Sequence, residues 1–178
     1  GRIDDAAAFY ERALAAEPRD ANTWLLYAGT LAERDDLEAA AGAYAEAERR
    51  DPRLLRALFG RHLALPMVPA GADEVARSRQ RYAAGLAAIE AELPGRAARL
   101  PAAALVDELR WTNFLLAYQG EDDRELQARF AGLVARAIDA ADPALRAPLP
   151  HRYRGTRRLR VGFVSAFFRE GTVGRYFE

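Results

Sequence analysis

The side chains best suited to chemistry in this sequence are arginines, and five of them lie close together near the C-terminal end. Guanidinium groups bind phosphate and carboxylate through paired hydrogen bonds, so such a cluster could bind a phosphorylated ligand. A solvated linker, or arginines that pair with carboxylates of a further domain, explains the cluster without any ligand, and we favour that interpretation. The cluster consists of Arg152, Arg154, Arg157, Arg158 and Arg160.

The other candidates for catalysis are few and isolated. Two histidines are too few for a histidine-rich metal site, and no cysteine is present to act as a nucleophile or to ligate zinc. We expect His62 to pack on a helix and His151 to lie in a linker. Glu121, Asp122 and Asp123 are adjacent carboxylates, but a helix N-terminus attracts negative charge through its own dipole. The sequence therefore predicts no catalytic residue, no metal site and no cofactor.

Composition limits the classes of partner. The 178 residues include 26 basic and 26 acidic side chains, so the formal charge is zero and broad attraction to nucleic acid or an acidic membrane is disfavoured. No apolar run approaches the roughly 20 residues of a membrane-spanning helix, and the N-terminus lacks the features of a signal peptide. We expect a soluble, cytoplasmic protein that binds neither nucleic acid nor membrane.

An internal repeat indicates the elements that would position a site. Alanine, tyrosine and proline recur at an offset of 34 residues. The first copy is Ala6, Tyr10, Ala13 and Pro18, and the second is Ala40, Tyr44, Ala47 and Pro52. A period of this length is typical of stacked supersecondary units, so the repeat predicts an array of helical hairpins.

The segment between the two copies has the spacing of one helix face. Its apolar residues recur at i, i+3, i+4 and i+7. They are Trp24, Tyr27, Ala28 and Leu31. Together with the 34-residue period, this spacing resembles the tetratricopeptide repeat (TPR) over residues 21–54, preceded by the second helix of another repeat at about 3–15. We expect both tryptophans, Trp24 and Trp111, to pack in the core.

Local signals mark where these helices begin and end. Pro18 and Pro52 are predicted to follow helices, because proline lacks the N–H that would continue them. Asp20 and Asp35 are predicted N-caps. A third copy begins at Leu54 and is interrupted by prolines. Further helices are predicted over 73–93, ended by Pro94-Gly95, within 102–118, and over about 123–140, capped by Asp122 or Asp123.

The last part of the chain changes its period. Leu159–Ser165 is a short apolar and β-branched run, typical of a buried strand. The predicted fold class is therefore all-α, with TPR hairpins and irregular helices that end in the first strand of an incomplete Rossmann-like domain. Since the chain lacks an initiator Met, we also expect it to be an internal part of a longer protein. The predicted parts are TPR repeats at 1–54, a degenerate helical region at 55–141, a linker at 142–156 and the start of a Rossmann-like domain at 157–178.

Three stretches carry a resemblance to a known family. They are RRLRVGFVSAFFREGTVGRYF at 157–177, NFLLAYQGEDDRELQARF at 113–130 and the region 62–86. Taken in chain order after the TPR hairpins, these stretches resemble the bacterial O-linked N-acetylglucosamine transferases of the Spindly type. The resemblance implies an enzyme that transfers N-acetylglucosamine from UDP to Ser or Thr of proteins, without a metal. The TPR part would present the polypeptide acceptor.

The resemblance also limits what this chain does by itself. The family binds the UDP-sugar mostly through a second Rossmann-like domain, so we expect this part to be inert alone and the donor to bind only the full-length parent. A histidine that the family carries near position 171 is Gly171 here, and the stretch Trp24–Tyr27 lacks the asparagines by which related enzymes hold peptide backbone. The alternative is a TPR scaffold that binds a partner peptide in its groove and has no transferase activity.

Overall fold

Helices account for all regular secondary structure in residues 1–146, the part of the chain that this computed structural model describes. The α-helices are α1 Arg2–Ala16, α2 Ala21–Glu33, α3 Leu37–Arg50, α4 Leu55–Leu63, α5 Ala72–Glu90, α6 Leu93–Ala97, α7 Ala102–Glu108 and α8 Arg124–Ala141, with short 3-10 helices at Phe114–Gln119 and Pro143–Arg146. The all-α prediction is confirmed for this range. The predicted strand, most of the linker and the predicted Rossmann-like start at 157–178 lie outside the described residues.

Helices α1 to α4 are joined by short turns, and each packs against the next. Pro18 and Pro52 lie in these turns, just after α1 and α3, as predicted. The predicted N-cap Asp20 is confirmed, because its carboxylate accepts hydrogen bonds from two backbone N–H groups in the first turn of α2, at 3.1 and 3.3 Å.

The prediction that Asp35 caps α3 was wrong. The N-cap is Asp36, whose carboxylate accepts from a backbone N–H in the first turn. Asp35 has a φ of 60°, in the left-handed region that aspartate tolerates better than most residues. The chain reverses direction at this residue, and the cap therefore falls one position later.

A first core lies between α2, α3 and α4. Ala28 of α2 and Ala40 of α3 are completely buried, so the two helices approach closely at these small residues. The helical residues of the second copy, Ala40, Tyr44 and Ala47, are buried, whereas their counterparts in the first copy are half-buried, since α1 packs mainly against α2. The buried members are Ala28, Leu31, Ala40, Ala43, Tyr44, Ala47, Leu54 and Ala57, with Trp24 and Tyr27 packed at the edge.

A second core lies between α4, α5, α6, α7 and α8. Helix α4 belongs to both cores, because Ala57 points into the first while Leu58 and Phe59 are buried in the second. In the second core, a Cβ at Gly85 of α5 would overlap the backbone carbonyl of His62 in α4. Glycine therefore allows the two backbones to come together, and α5 forms the second helix of a pair that the interrupted repeat did not predict.

The prediction that Pro94-Gly95 ends the long helix was also wrong. Helix α5 ends at Glu90, and both residues lie inside the short helix α6. Proline is accommodated there because the first turn of a helix does not use its N–H groups. The helices predicted within 102–118 and over 123–140 are found as α7, a 3-10 helix and α8.

A nearly buried carboxylate ties the two cores together. Glu48 of α3 accepts hydrogen bonds from Arg61 of α4 at 3.1 Å and from Arg96 of α6 at 2.6 Å. Burial opposes ionisation of Glu48, but these two hydrogen bonds outweigh it and hold the pKa of the carboxyl below its usual value. The two ion pairs that Glu48 makes with these arginines thus fix α3, α4 and α6 relative to one another.

We predict that Gly60→Ala destabilises the protein whereas Gly42→Ala does not. A Cβ at position 60 would overlap the buried ring of Tyr44, while nothing lies within 4 Å of a Cβ at position 42. The crowding should lower the free energy of unfolding by about 2 kcal/mol, and Gly42→Ala should raise it by about 0.5 kcal/mol. Urea denaturation measures both, and equal stability of the two variants would contradict the packing.

We also predict that Glu48→Gln lowers the free energy of unfolding at pH 7 by about 2 kcal/mol, since two arginines lose a charged acceptor. The folded-state pKa of Glu48 is depressed, so its contribution is present at neutral pH and is lost as the pH falls below about 4. The difference between wild type and variant should therefore shrink in acid. Glu46→Gln is the control, because that carboxylate is more exposed and should contribute less than about 1 kcal/mol. A pH-independent difference at Glu48 would contradict the prediction.

Candidate functional site

An apolar groove of about 290 Å³ lies where the C-terminal ends of α2 and α4 meet the segment before the 3-10 helix Phe114–Gln119. Its lining contains far more carbon than polar surface. The apolar residues are Ala32 of α2, Leu63 at the end of α4, Leu65 and Met67 in the connection after it, and Leu115, among others. A concave apolar surface with few polar groups is the usual form of a binding site.

One wall of the groove is the connection between α4 and α5. Its backbone is held to the turn before α3, because the N–H of Met67 donates to the carboxylate of Asp35 at 2.5 Å. The left-handed conformation of Asp35 thus serves this contact. Leu65 and Pro66 of the same connection are buried, and they turn the chain back over the end of α4.

The opposite wall is the segment 111–115, which three aromatic and polar contacts hold in place. The ring of Trp111 lies 6.2 Å from that of Phe59, between ring centroids. Asn113 accepts a hydrogen bond from the hydroxyl of Tyr82 at 2.5 Å, and its amide donates to Gln127 at 3.1 Å. The segment is therefore fixed to α4, α5 and α8.

Tyr44 supplies an unused hydrogen-bond donor to the groove. Only 6% of its surface is exposed, and its hydroxyl has no hydrogen-bond partner within residues 1–146. Burial, together with the negative charge of Glu33, raises the pKa of Tyr44 to about 12. The phenol is therefore protonated at neutral pH and can donate to a carbonyl oxygen.

A second unused donor borders the same groove. The indole Nε1 of Trp111 is buried and has no partner in the described part of the chain. Buried donors without partners are uncommon in folded proteins and call for an explanation in each case. By contrast, the indole of Trp24 donates to the carbonyl of Pro18 at 3.0 Å, and the Arg50 guanidinium lies 4.8 Å from its ring centre.

The edge of the groove is negatively charged. Glu33 is exposed, and its carboxylate has no ion-pair partner among residues 1–146. The adjacent basic residue, Arg34, pairs instead with Asp4 of α1 at 3.4 Å. The carboxylate of Glu33 is therefore available to a cationic group of a ligand.

The residues singled out from the sequence mostly have structural positions. Tyr44 is the one repeat residue that lines the groove, and the others lie in helix contacts or turns. His62 is half-buried, and burial lowers its pKa. Asp123 pairs with Arg79 at 2.6 Å, and Asp122 accepts from a backbone N–H at the start of α8. His151 and the cluster of five arginines lie outside the described residues.

No metal centre is formed within residues 1–146, since no group of three or more potential ligands lies together there. In the same range, no helix is long and apolar enough to cross a membrane. Comparisons of the chain with known protein families, with curated proteins and with solved structures found no match.

The groove itself was not predicted. It forms from α2, α3, the end of α4 with the connection that follows it, and the segment 111–115, which are distant from one another in the sequence. The sequence carries part of the signal, because the repeat identifies Tyr44 as a helix position and helical spacing indicates that Trp111 packs in a core. Neither pattern indicates that the Tyr44 hydroxyl and the Trp111 indole have no hydrogen-bond partner among residues 1–146.

We predict that Tyr44→Phe makes stability less sensitive to alkali. The pKa of Tyr44 is raised in the folded state. The contribution of the protonated phenol to the free energy of unfolding is therefore complete below pH 10 and is lost as the pH rises towards 12. Between pH 9 and 11, wild type should lose about 1 kcal/mol more than the variant. At pH 7 the two proteins should be similarly stable, because the hydroxyl has no partner to lose. Parallel stability curves from pH 9 to 11 would contradict the burial of this phenol.

Proposed function

We propose that this chain is the polypeptide-presenting part of a protein O-glycosyltransferase. The complete enzyme would transfer N-acetylglucosamine from UDP to serine or threonine side chains of an acceptor protein. One observation supports the polypeptide-binding half of this proposal. It is the apolar groove, in which the Tyr44 hydroxyl and the Glu33 carboxylate have no partner within residues 1–146. The sequence resemblance at 113–130 and 157–177 carries the sugar-transfer half.

The helix contacts support assignment of α1, α2 and α3 to TPR hairpins. The pattern requires small residues where paired helices cross, and Ala28 and Ala40 are fully buried there. Pro18 and Pro52 follow α1 and α3, at the same point of each repeat. Because TPR arrays commonly bind peptides along a groove, a polypeptide is the partner that this architecture favours.

The stretch 113–130 has a role consistent with the proposal. Its polar residues fix the groove wall and the start of α8: Asn113 bonds to Tyr82 and Gln127, and Asp123 bonds to Arg79. No residue of the described part is assigned a catalytic role, and the part by itself is proposed to be inert.

A second candidate function is a scaffold that binds a partner peptide without transferring a sugar. The groove supports a scaffold as well as it supports a transferase, because within residues 1–146 its apolar and negatively charged lining includes no basic side chain that could bind the diphosphate of a UDP-sugar. The two functions differ in the chemistry that follows binding, so a transfer assay separates them.

We predict that UDP-N-acetylglucosamine does not raise the melting temperature of residues 1–178, since the donor site is proposed to lie elsewhere in the parent. The product of the complete gene should transfer radiolabelled N-acetylglucosamine from UDP to proteins of a cell lysate. A saturable thermal shift with residues 1–178 would contradict the proposed place of the donor site. Absence of transfer by the complete product would leave the scaffold as the better account.

A further inference from the structure

We propose that the groove binds a segment of polypeptide in which an apolar side chain stands next to a basic one. This inference rests on the proposed function, in that it takes the chain to bind polypeptide, and it adds which residues are selected. Three features of the groove each bind one part of the ligand. The apolar lining binds an apolar side chain, the Tyr44 hydroxyl binds a backbone carbonyl, and the Glu33 carboxylate binds a basic side chain.

The apolar lining selects the first side chain. Ala32, Leu63, Leu65 and Leu115 present carbon to a space of about 290 Å³, which can enclose an aliphatic or aromatic side chain. Removing such a side chain from water is the main favourable term in its binding. A polar side chain would lose its hydration in the groove without finding enough partners.

The hydroxyl of Tyr44 selects a backbone carbonyl group of the peptide ligand. It is a protonated donor that has no hydrogen-bond partner in the described range 1–146, on a side chain that is more than nine-tenths buried at the groove. A backbone carbonyl next to the apolar side chain would accept this hydrogen bond. A purely hydrocarbon ligand, such as an acyl chain, would leave the hydroxyl unsatisfied, and this disfavours lipid as the occupant.

The carboxylate of Glu33 selects the neighbouring basic side chain. The nearest charges in the sequence are already engaged: Asp35 accepts from the N–H of Met67, and Arg34 pairs with Asp4. Glu33 has no ion-pair partner among residues 1–146, so within this range the groove edge carries a negative charge without a paired cation. This charge attracts arginine or lysine and repels acidic peptides, fatty acids and phosphates.

The test measures fluorescence polarisation of short labelled peptides with residues 1–178. Each peptide consists of glycine and serine except for one adjacent pair of residues. The first kind carries leucine and arginine, in either order. The second kind carries leucine and glutamate, and the third carries serine and arginine. We expect at least one of the leucine–arginine peptides to bind at least about tenfold more tightly than the other two kinds. Glu33→Gln and Tyr44→Phe should each weaken that binding about fivefold.

Controls separate selection from folding. Glu38→Gln removes an exposed carboxylate of α3 that does not line the groove, and it should leave binding unchanged. Glu33→Arg should reverse the preference, so that the leucine–glutamate peptide binds more tightly than leucine–arginine. A variant that had merely lost its fold would bind neither peptide, and circular dichroism identifies that case independently.

Each result decides the inference. Binding of leucine–arginine peptides that is reversed by Glu33→Arg supports it. Equal binding of all peptides, or no effect of Glu33 and Tyr44 variants, overturns the assigned selection while polypeptide binding still stands. Absence of binding by any peptide up to millimolar concentration overturns the inference, and the transfer assay then decides the proposed function separately. Self-association abolished by Glu33→Arg would identify a second copy as the occupant and also overturn it.

Discussion

The contact between the Tyr44 ring and the backbone of Gly60 is the constraint on which most of the described structure depends. A side chain at position 60 would occupy the place of the ring, so α3 and α4 can cross here only because glycine has no Cβ. The crossing buries Tyr44 in the first core while α4 presents its other face to the second. The same side chain then extends its hydroxyl to the groove. One aromatic residue therefore joins the packing of the helices to the surface that we propose binds a ligand.

The two cores are coupled by charge as well as by packing. Glu48 lies beside the crossing and accepts hydrogen bonds from arginines of α4 and α6, so a change in the relative position of these helices would expose a charge that is now compensated. The groove walls are fixed in a similar way by local polar contacts, Asp35 with Met67 on one side and Asn113 with Tyr82 on the other. A preformed groove of this kind loses little conformational entropy when it binds a peptide.

The features that the sequence predicted well are those set by local physics. The helical period, the cap at Asp20 and the turn prolines depend on a few neighbouring residues, and the structure contains them where they were expected. Asp35 and Asp36 could not be distinguished, because either carboxylate can cap and the difference lies in which residue adopts a left-handed φ. The prediction at Pro94 was wrong because the sequence does not distinguish a proline that ends one helix from a proline in the first turn of the next. The groove depends on the distant segment 111–115, and an unpartnered hydroxyl leaves no sequence pattern.

The central claim is that polypeptide occupies the groove between Tyr44 and Trp111, and the two indole N–H resonances of the protein test it most directly. The chain has only two tryptophans, and their surroundings differ. The Trp24 indole donates a hydrogen bond to Pro18, whereas the Trp111 indole borders the groove and has no partner among residues 1–146. In a titration with the leucine–arginine peptide followed by two-dimensional NMR, the Trp111 signal should shift progressively to saturation while the Trp24 signal stays in place. A saturable shift of Trp24 alone, or binding that moves neither signal, would contradict the account.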